Sequence, residues 1–234
     1  MFNPNPTIER VPLENGDFCA VVDDALLEPE RFVDAAAMQS DAFRRVDFNA
    51  YPGNYLSLPI QVQEGLRDFF NAHIRGLFDA RRLMELHSRL AMVTLQPHEL
   101  RPYQWVCHND NPAIDRSHSI QASVLYLFKD ESLGGTSFYV PRDPSQARLL
   151  YDDSIVLSNE AFSAKYGIEP GYIHSSNDHF KQIGSVPARW NRMIFYNGAM
   201  LHSGDIVSPE KLSADPRRGR LTLNGFFTCR RHVR

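Results

Sequence analysis

Residues 104–112, Gln104-Trp-Val-Cys-His108-Asn-Asp110-Asn-Pro112, decide how the chain is read. The stretch reads as a strand, and alternate residues of a strand share a face, so the side chains of His108 and Asp110 point the same way. Cys107 turns to the opposite face and reads as a small packed hydrophobe. A neutral imidazole nitrogen and a carboxylate oxygen aimed at one point make two-thirds of a facial metal site. The third donor has to arrive from a distant strand, and His202, in MLHSGDI, is the candidate. Two histidines and one carboxylate on one face of a metal, with open positions opposite, suit a non-haem iron(II) that activates oxygen.

Outward from this stretch, the hydrophobic pattern divides the chain. After Ser88 the period is close to two, and RLAMVTLQP, SIQASVLYLF, TSFYV, FKQIGSV, NRMIFYNG and RLTLNGFFTC read as short strands between turn signals. Before it the period is helical. Pro29 suits the first turn of a helix carrying Phe32, Val33, Ala36 and Ala37 on one face, and Val62, Leu66, Phe69, Phe70, Ile74, Leu77 and Phe78 predict a helix over 61–86. A strand is expected over Asp17–Asp23, and FNAYPGNYLSLP, with Pro52-Gly53 and Pro59, reads as a tyrosine-rich loop. The predicted fold is mainly β with N-terminal helices (α+β), its core a double-stranded β-helix of the jelly-roll or cupin-like kind. One domain over 1–234 is expected: a strand and helix region at 1–87 packed on a β-helix core at 88–230. That core carries an insertion at 143–176, holding one or two short helices over a mouth of the barrel.

Composition narrows the function classes. At 43% hydrophobic, 234 residues are enough to bury a large core. A net charge of −3 with acids and bases interspersed gives no basic field for nucleic acid or anionic membrane, so neither partner is expected. No apolar run reaches the ~18–20 residues that cross a bilayer. The N-terminal residues lack the basic and apolar regions of a signal peptide, so a cytoplasmic location is expected. Cys19, Cys107 and Cys229 are far apart and form no CxxC pair, which argues against disulfides or a zinc knuckle.

HxD alone is weak, and what raises it is the order of features that follow: SVLYLFKDESLGGTSFYVP, then NRMIFYNGAMLHSGDIV, then RGRLTLNGFF. With these, the sequence resembles the Fe(II)/2-oxoglutarate-dependent dioxygenases over roughly residues 88–230, in particular their prolyl-hydroxylase-like branch. It also resembles a group of uncharacterised bacterial proteins in that superfamily, in which YPG and PARWNR recur. The resemblance implies Fe(II), 2-oxoglutarate as co-substrate and O2. It matches His108, Asp110 and His202 to the iron ligands, and Arg220 to the residue that holds the far carboxylate of 2-oxoglutarate. Thr222, on the same strand face as Arg220, is placed to add a bond to that carboxylate, and Tyr126 matches a tyrosine that does so in some relatives. The implied activity is hydroxylation of an amino-acid, peptide or protein side chain, coupled to decarboxylation of 2-oxoglutarate to succinate. A carboxylate at position 110 favours hydroxylation over halogenation, for which relatives carry a small residue there. Phe128 departs from the pattern, where asparagine is usual.

Two other readings use the same residues: a cupin-like binding protein without turnover, and a metal-dependent hydrolase or isomerase that keeps the triad but has no need of Arg220. His174, Asp178 and His179 form a second candidate cluster, but the serines, glycine and asparagine around them read as loop. Tyr51, Tyr55, Tyr103 and Trp105 are assigned to packing rather than to a substrate mouth.

Overall fold

The computed structural model describes residues 1–45, 50–110 and 115–232. In chain order its elements are β1 (Ile8–Pro12), β2 (Phe18–Val22), α1 (Pro29–Met38), β3 (Arg44–Arg45), β4 (Gly53–Ser57), α2 (Ile60–Phe69), β5 (Arg82–Val93) and β6 (His118–Tyr126). They continue as β7 (Thr136–Pro141), α3 (Pro144–Val156), α4 (Asn159–Tyr166), β8 (Phe180–Val186), β9 (Met193–Asn197), β10 (Leu201–Gly204) and β11 (Arg220–Arg230). Among the described residues the strands form an antiparallel sheet in the order β1-β2-β9-β6-β11-β5-β4-β3 and a smaller one in the order β10-β7-β8. This is the expected mainly-β fold with a double-stranded β-helix core.

Strand alternation sorts the chain into three apolar layers. On β11, Leu221, Leu223 and Phe227 turn outward and share a core with Ala36 of α1 and Leu66 and Phe69 of α2. Phe70 stacks on Phe227 with centroids 4.0 Å apart, and each such buried ring contributes about 1.5–3 kcal/mol. Between the sheets lie Tyr126, Phe138, Ile183, Ile194 and Tyr196. The third layer covers the outer side of the small sheet, where Tyr139 and Phe180 pack with Trp105, Cys107, Leu150 of α3 and Phe162 of α4. Those two helices begin at side-chain caps: Asp143 accepts from the amides of Ser145 and Gln146, and Ser158 from that of Ala161. The 143–176 segment therefore backs the wall behind the HxD turn, where a position over a mouth was expected.

Three local expectations are corrected. The predicted helix over 61–86 ends sooner: α2 stops at Phe69, a wider turn follows to Ile74 and a tighter one to Leu77, and β5 starts at Arg82. A register shift between Thr228 and Cys229 pairs Leu86 with Phe227 and Leu83 with Cys229, so two β5 leucines three apart share one face and imitate helical spacing. In the expected tyrosine loop, residues 53–57 are β4, paired with β5. Gly53 permits this, because a Cβ there would lie 1.8 Å from the Met92 carbonyl oxygen. Residues 46–49 lie outside the described residues, as do Asn111 and Pro112. Finally, the stretch from Gln104 to Asp110 forms no regular strand. Pro102–Gln104 is a 3-10 turn, and His108 joins the small sheet through a single bridge to His202.

Candidate metal centre

That bridge builds the site. The amide of His108 donates to the His202 carbonyl at 2.9 Å and the amide of His202 returns a bond at 2.8 Å, fixing the two backbones beside each other. Their rings lie with centroids 4.5 Å apart. The Asp110 amide donates to the Gly198 carbonyl at 2.8 Å, and a Cβ on Gly198 would come within 3.1 Å of Asp110 Oδ2, so the glycine gives the carboxylate room. One ligating atom from each of His108, Asp110 and His202 lies within 4.8 Å of the others, and among the described residues no other group of three His, Cys, Asp or Glu side chains does this.

Protonation suits a cation. His108 keeps an exposed edge, yet burial of its ring and the neighbouring His202 push its pKa down to about 4, leaving it neutral near pH 7. Burial opposes ionisation of Asp110, but the charges of His202, His108 and Arg89 outweigh it and hold the carboxylate below its ordinary value. Burial likewise opposes a charge on His202, and the Asp110 carboxylate overcomes it and raises its pKa. His202 Nδ1 lies 2.9 Å from the Met200 carbonyl, which makes Nδ1–H the donor and turns Nε2 toward Asp110 Oδ1, 3.6 Å away. Among the described residues Asp110 Oδ2, which is buried, has no hydrogen-bond partner. An orphaned oxygen on a carboxylate grouped with two imidazoles is costly unless a cation satisfies it, so the residues fit a metal.

Across from the triad, on β11 of the larger sheet, sits Arg220, 5% exposed. Its Nε donates to the carbonyls of Leu133 at 3.0 Å and Gly134 at 3.2 Å, and Nη2 to that of Gly135 at 2.9 Å. The guanidinium lies 5.7 Å from the centre of the Phe128 ring, so the phenylalanine that departs from the family pattern is part of its seat. Gly134 is needed for this turn, since its φ is +89° and a Cβ would meet the Asp205 carbonyl at 1.8 Å. Tyr126 and Thr136 share a 2.8 Å hydrogen bond across the barrel. Thr222 donates to the Ala91 carbonyl at 3.4 Å.

The sequence matches a family of unknown function, DUF6445, over residues 4–227. The chain belongs to DUF6445. No curated protein matches it. Among solved structures, this DUF6445 chain is similar to the non-haem alpha-ketoglutarate-dependent epimerase SnoN from nogalamycin biosynthesis, at 15% identity, covering 92% of this chain and 82% of that one with a TM-score of 0.49. A Pseudomonas putida prolyl-4-hydroxylase is 14% identical, with 92% and 93% covered and a TM-score of 0.47. HygX from Streptomyces hygroscopicus, with nickel, 2-oxoglutarate and hygromycin B bound, is 14% identical, with 91% and 82% covered and a TM-score of 0.46. Likenesses this distant carry no argument about chemistry, which rests on the chain's own side chains.

In the DUF6445 chain the expected triad is thus brought together, with Arg220, Thr222 and Tyr126 on the same inner face. The rival cluster is not: His179 Nε2 lies 2.8 Å from the Tyr166 carbonyl, in the cap of the loop. His87 pairs with Glu85 at 3.0 Å and His118 with Asp115 at 2.9 Å. The Cys107 thiol is pushed up to about 12 by burial, as befits a packed side chain. Sequence reasoning missed Arg89, which lies on the inner face of β5. The signal was present: in RLAMV the arginine falls two residues from Ala91 and four from Val93, in step with an inward face. No helix among the described residues is long and apolar enough to cross a membrane.

Proposed function

We propose that this protein is an Fe(II)- and 2-oxoglutarate-dependent oxygenase that hydroxylates an amino-acid, peptide or protein side chain. The observation that carries the reading is the buried, partnerless oxygen of Asp110, the carboxylate grouped with His108 and His202, with a clamped arginine on the larger sheet opposite. Iron would be held by the two imidazoles and the carboxylate. When bound, iron and 2-oxoglutarate supply the oxidant, with succinate and carbon dioxide as co-products.

The protein's own part is positioning and exclusion. Arg220 is seated by three carbonyls, and its Nη1 has no acceptor among the described residues, which leaves it for the far carboxylate of 2-oxoglutarate. Tyr126 and Thr222 border that carboxylate position, and the buried phenol of Tyr196, whose ring centroid lies 4.7 Å from that of His202, shields the ligand from water. The Met200 carbonyl keeps His202 in the tautomer whose Nε2 can ligate. Asp110 fills the position that a halide would need, which favours hydroxylation.

The same clamp on Arg220 favours a second reading, in which the arginine only ties the 133–135 turn to β11 and the barrel holds a metal without 2-oxoglutarate. Succinate formation separates the two. Incubated with Fe(II), 2-oxoglutarate and O2, the protein is expected to form succinate, and His108→Ala to form none. Metal binding without succinate overturns the oxygenase reading.

A further inference from the structure

The inner face of β11 continues past the metal centre to the rim of the barrel. Alternation carries it from Arg220 and Thr222 through Phe226 and Thr228 to Arg230, and the ladder with β6 is unbroken from Thr222 to Arg230. Ile120 lies opposite Thr228. Its side chain and the Asp110 carboxylate both flank Gly198, where a Cβ would meet them at 3.2 and 3.1 Å. Arg230 is one alternation farther out, about 7 Å along the strand, opposite His118 on β6 and Arg82 on β5. Phe226 and Thr228 are half-buried, while Arg82, Glu85, His87 and Arg230 are exposed. The larger sheet therefore ends in an open shelf at the end of the barrel that holds the triad.

Charge on this rim is one-sided. Arg82 and Arg230 face each other across β5 and β11, and like charges directly opposite destabilise a sheet. Arg230, Arg116 and Arg81 line one hollow of about 670 Å³, and Arg81 and Arg82 line an adjoining one of about 500 Å³. None of these four guanidinium groups has an acceptor among the described residues. The carboxylates nearby are already engaged: Asp79 with Arg231 at 2.9 Å and the His232 amide at 3.0 Å, Asp115 with His118 at 2.9 Å, and Glu85 with His87 at 3.0 Å. In a chain of net charge −3, this concentration of unpaired arginine is a standing repulsion that an anionic partner removes.

Resting on the oxygenase reading above, we propose that the rim docks an acidic segment of a polypeptide substrate, with Arg82 and Arg230 as its anchors and Arg81 and Arg116 beside them. The shelf is open rather than enclosed, which suits an extended chain, and guanidinium forks match carboxylates. Asp79, Glu85 and Asp115 are interspersed among the arginines and repel a nucleic-acid backbone, which carries a charge at every step. An extended chain rises about 3.3 Å per residue, so the acidic residues fall about two to four positions from the residue that is oxidised.

The test uses the full chain loaded with Ni(II) and 2-oxoglutarate, and three fluorescein-labelled probes read by anisotropy: hexaglutamate, hexaglutamine and the oligonucleotide hexathymidylate. Hexaglutamate is expected to bind on the order of tenfold more tightly than hexaglutamine, and more tightly than hexathymidylate. In the double variant Arg82→Gln/Arg230→Gln the preference should vanish while 2-oxoglutarate affinity stays within twofold. Arg217→Gln, which removes an exposed arginine paired with Asp34, should leave the preference unchanged. Equal binding of hexaglutamate and hexaglutamine to the wild type, a measurement that needs no variant, overturns the proposal. So does tighter binding of hexathymidylate, or a preference that survives in the double variant. With Fe(II) and O2 in place of Ni(II), peptides of randomised central residue with glutamates about two to four positions away should raise succinate formation severalfold over the same peptides with glutamines. Equal stimulation by the two sets overturns the substrate role of the rim. A wild type that prefers hexaglutamate yet forms no succinate with any peptide fails as an oxygenase and stands as a docking surface.

Discussion

The phenol of Tyr151, on α3, donates a 2.8 Å hydrogen bond to the carbonyl oxygen of Cys107, the residue before the proposed ligand His108. The insertion helix thereby holds the backbone that aims the first imidazole. No regular strand pairing does so, since His108 has only its single bridge to His202.

Tyr151→Phe keeps the ring in the apolar layer around Leu150 and Phe180 and removes only the donor. The variant should lose about 1 kcal/mol of stability in urea denaturation, the net worth of one such bond. It should also bind Co(II) on the order of two- to tenfold more weakly in chelator competition, less than the loss expected from a partner bonded to the ligand ring itself. Unchanged Co(II) affinity with reduced stability would make Tyr151 a packing residue only.

Arg220→Lys tests the co-substrate site. Lysine cannot span the carbonyls of Leu133, Gly134 and Gly135 and still offer a planar edge, so 2-oxoglutarate should bind Ni(II)-loaded protein on the order of 10–100-fold more weakly, a loss of about 1.5–3 kcal/mol. Metal affinity, which Arg220 does not serve, should stay within twofold. Calorimetric titration of each ligand separates the two effects.

Metal binding should release a proton. The raised pKa of His202 means that its imidazolium, paired with Asp110, is favoured in metal-free folded protein. The stability this pair contributes is complete below the ordinary histidine value and is lost as pH rises through the raised one. A metal needs the neutral ring, so affinity should climb with pH up to that pKa, and more than half a proton, but no more than one, should leave per Zn(II) bound at pH 6.5. Calorimetry in buffers of different ionisation enthalpy counts it. His108, held near 4 by burial and by its neighbour, contributes none, so a release close to two would contradict the assignment.

Sequence alone reached the architecture and the His108–Asp110 pair because both rest on short-range rules, and it reached the distant His202 only through the order of the motifs that follow. Period-two apolar runs mark β6, β7, β8, β9 and β11, and spacing joins His108 to Asp110. It missed what depends on pairing across the sheet. The β5 bulge makes Leu83 and Leu86 look helical. Gly53 reads as a turn glycine until Met92 is laid beside it, which hid β4 and with it the inward position of Tyr55. Arg89 and Asn224 lie far apart in sequence and meet only through the β5–β11 register. Phe128, a departure when read along the chain, becomes a seat for Arg220 once the turn at 133–135 is folded against it.

The central claim is that His108, Asp110 and His202 hold an iron that 2-oxoglutarate chelates, and anaerobic titration of the metal-free protein with Fe(II) and then 2-oxoglutarate tests it most directly. The account predicts a weak visible charge-transfer band that saturates at one equivalent of Fe(II) and is absent from folded His108→Ala. Fully folded wild-type protein that binds Fe(II) yet gives no band on addition of 2-oxoglutarate would contradict it.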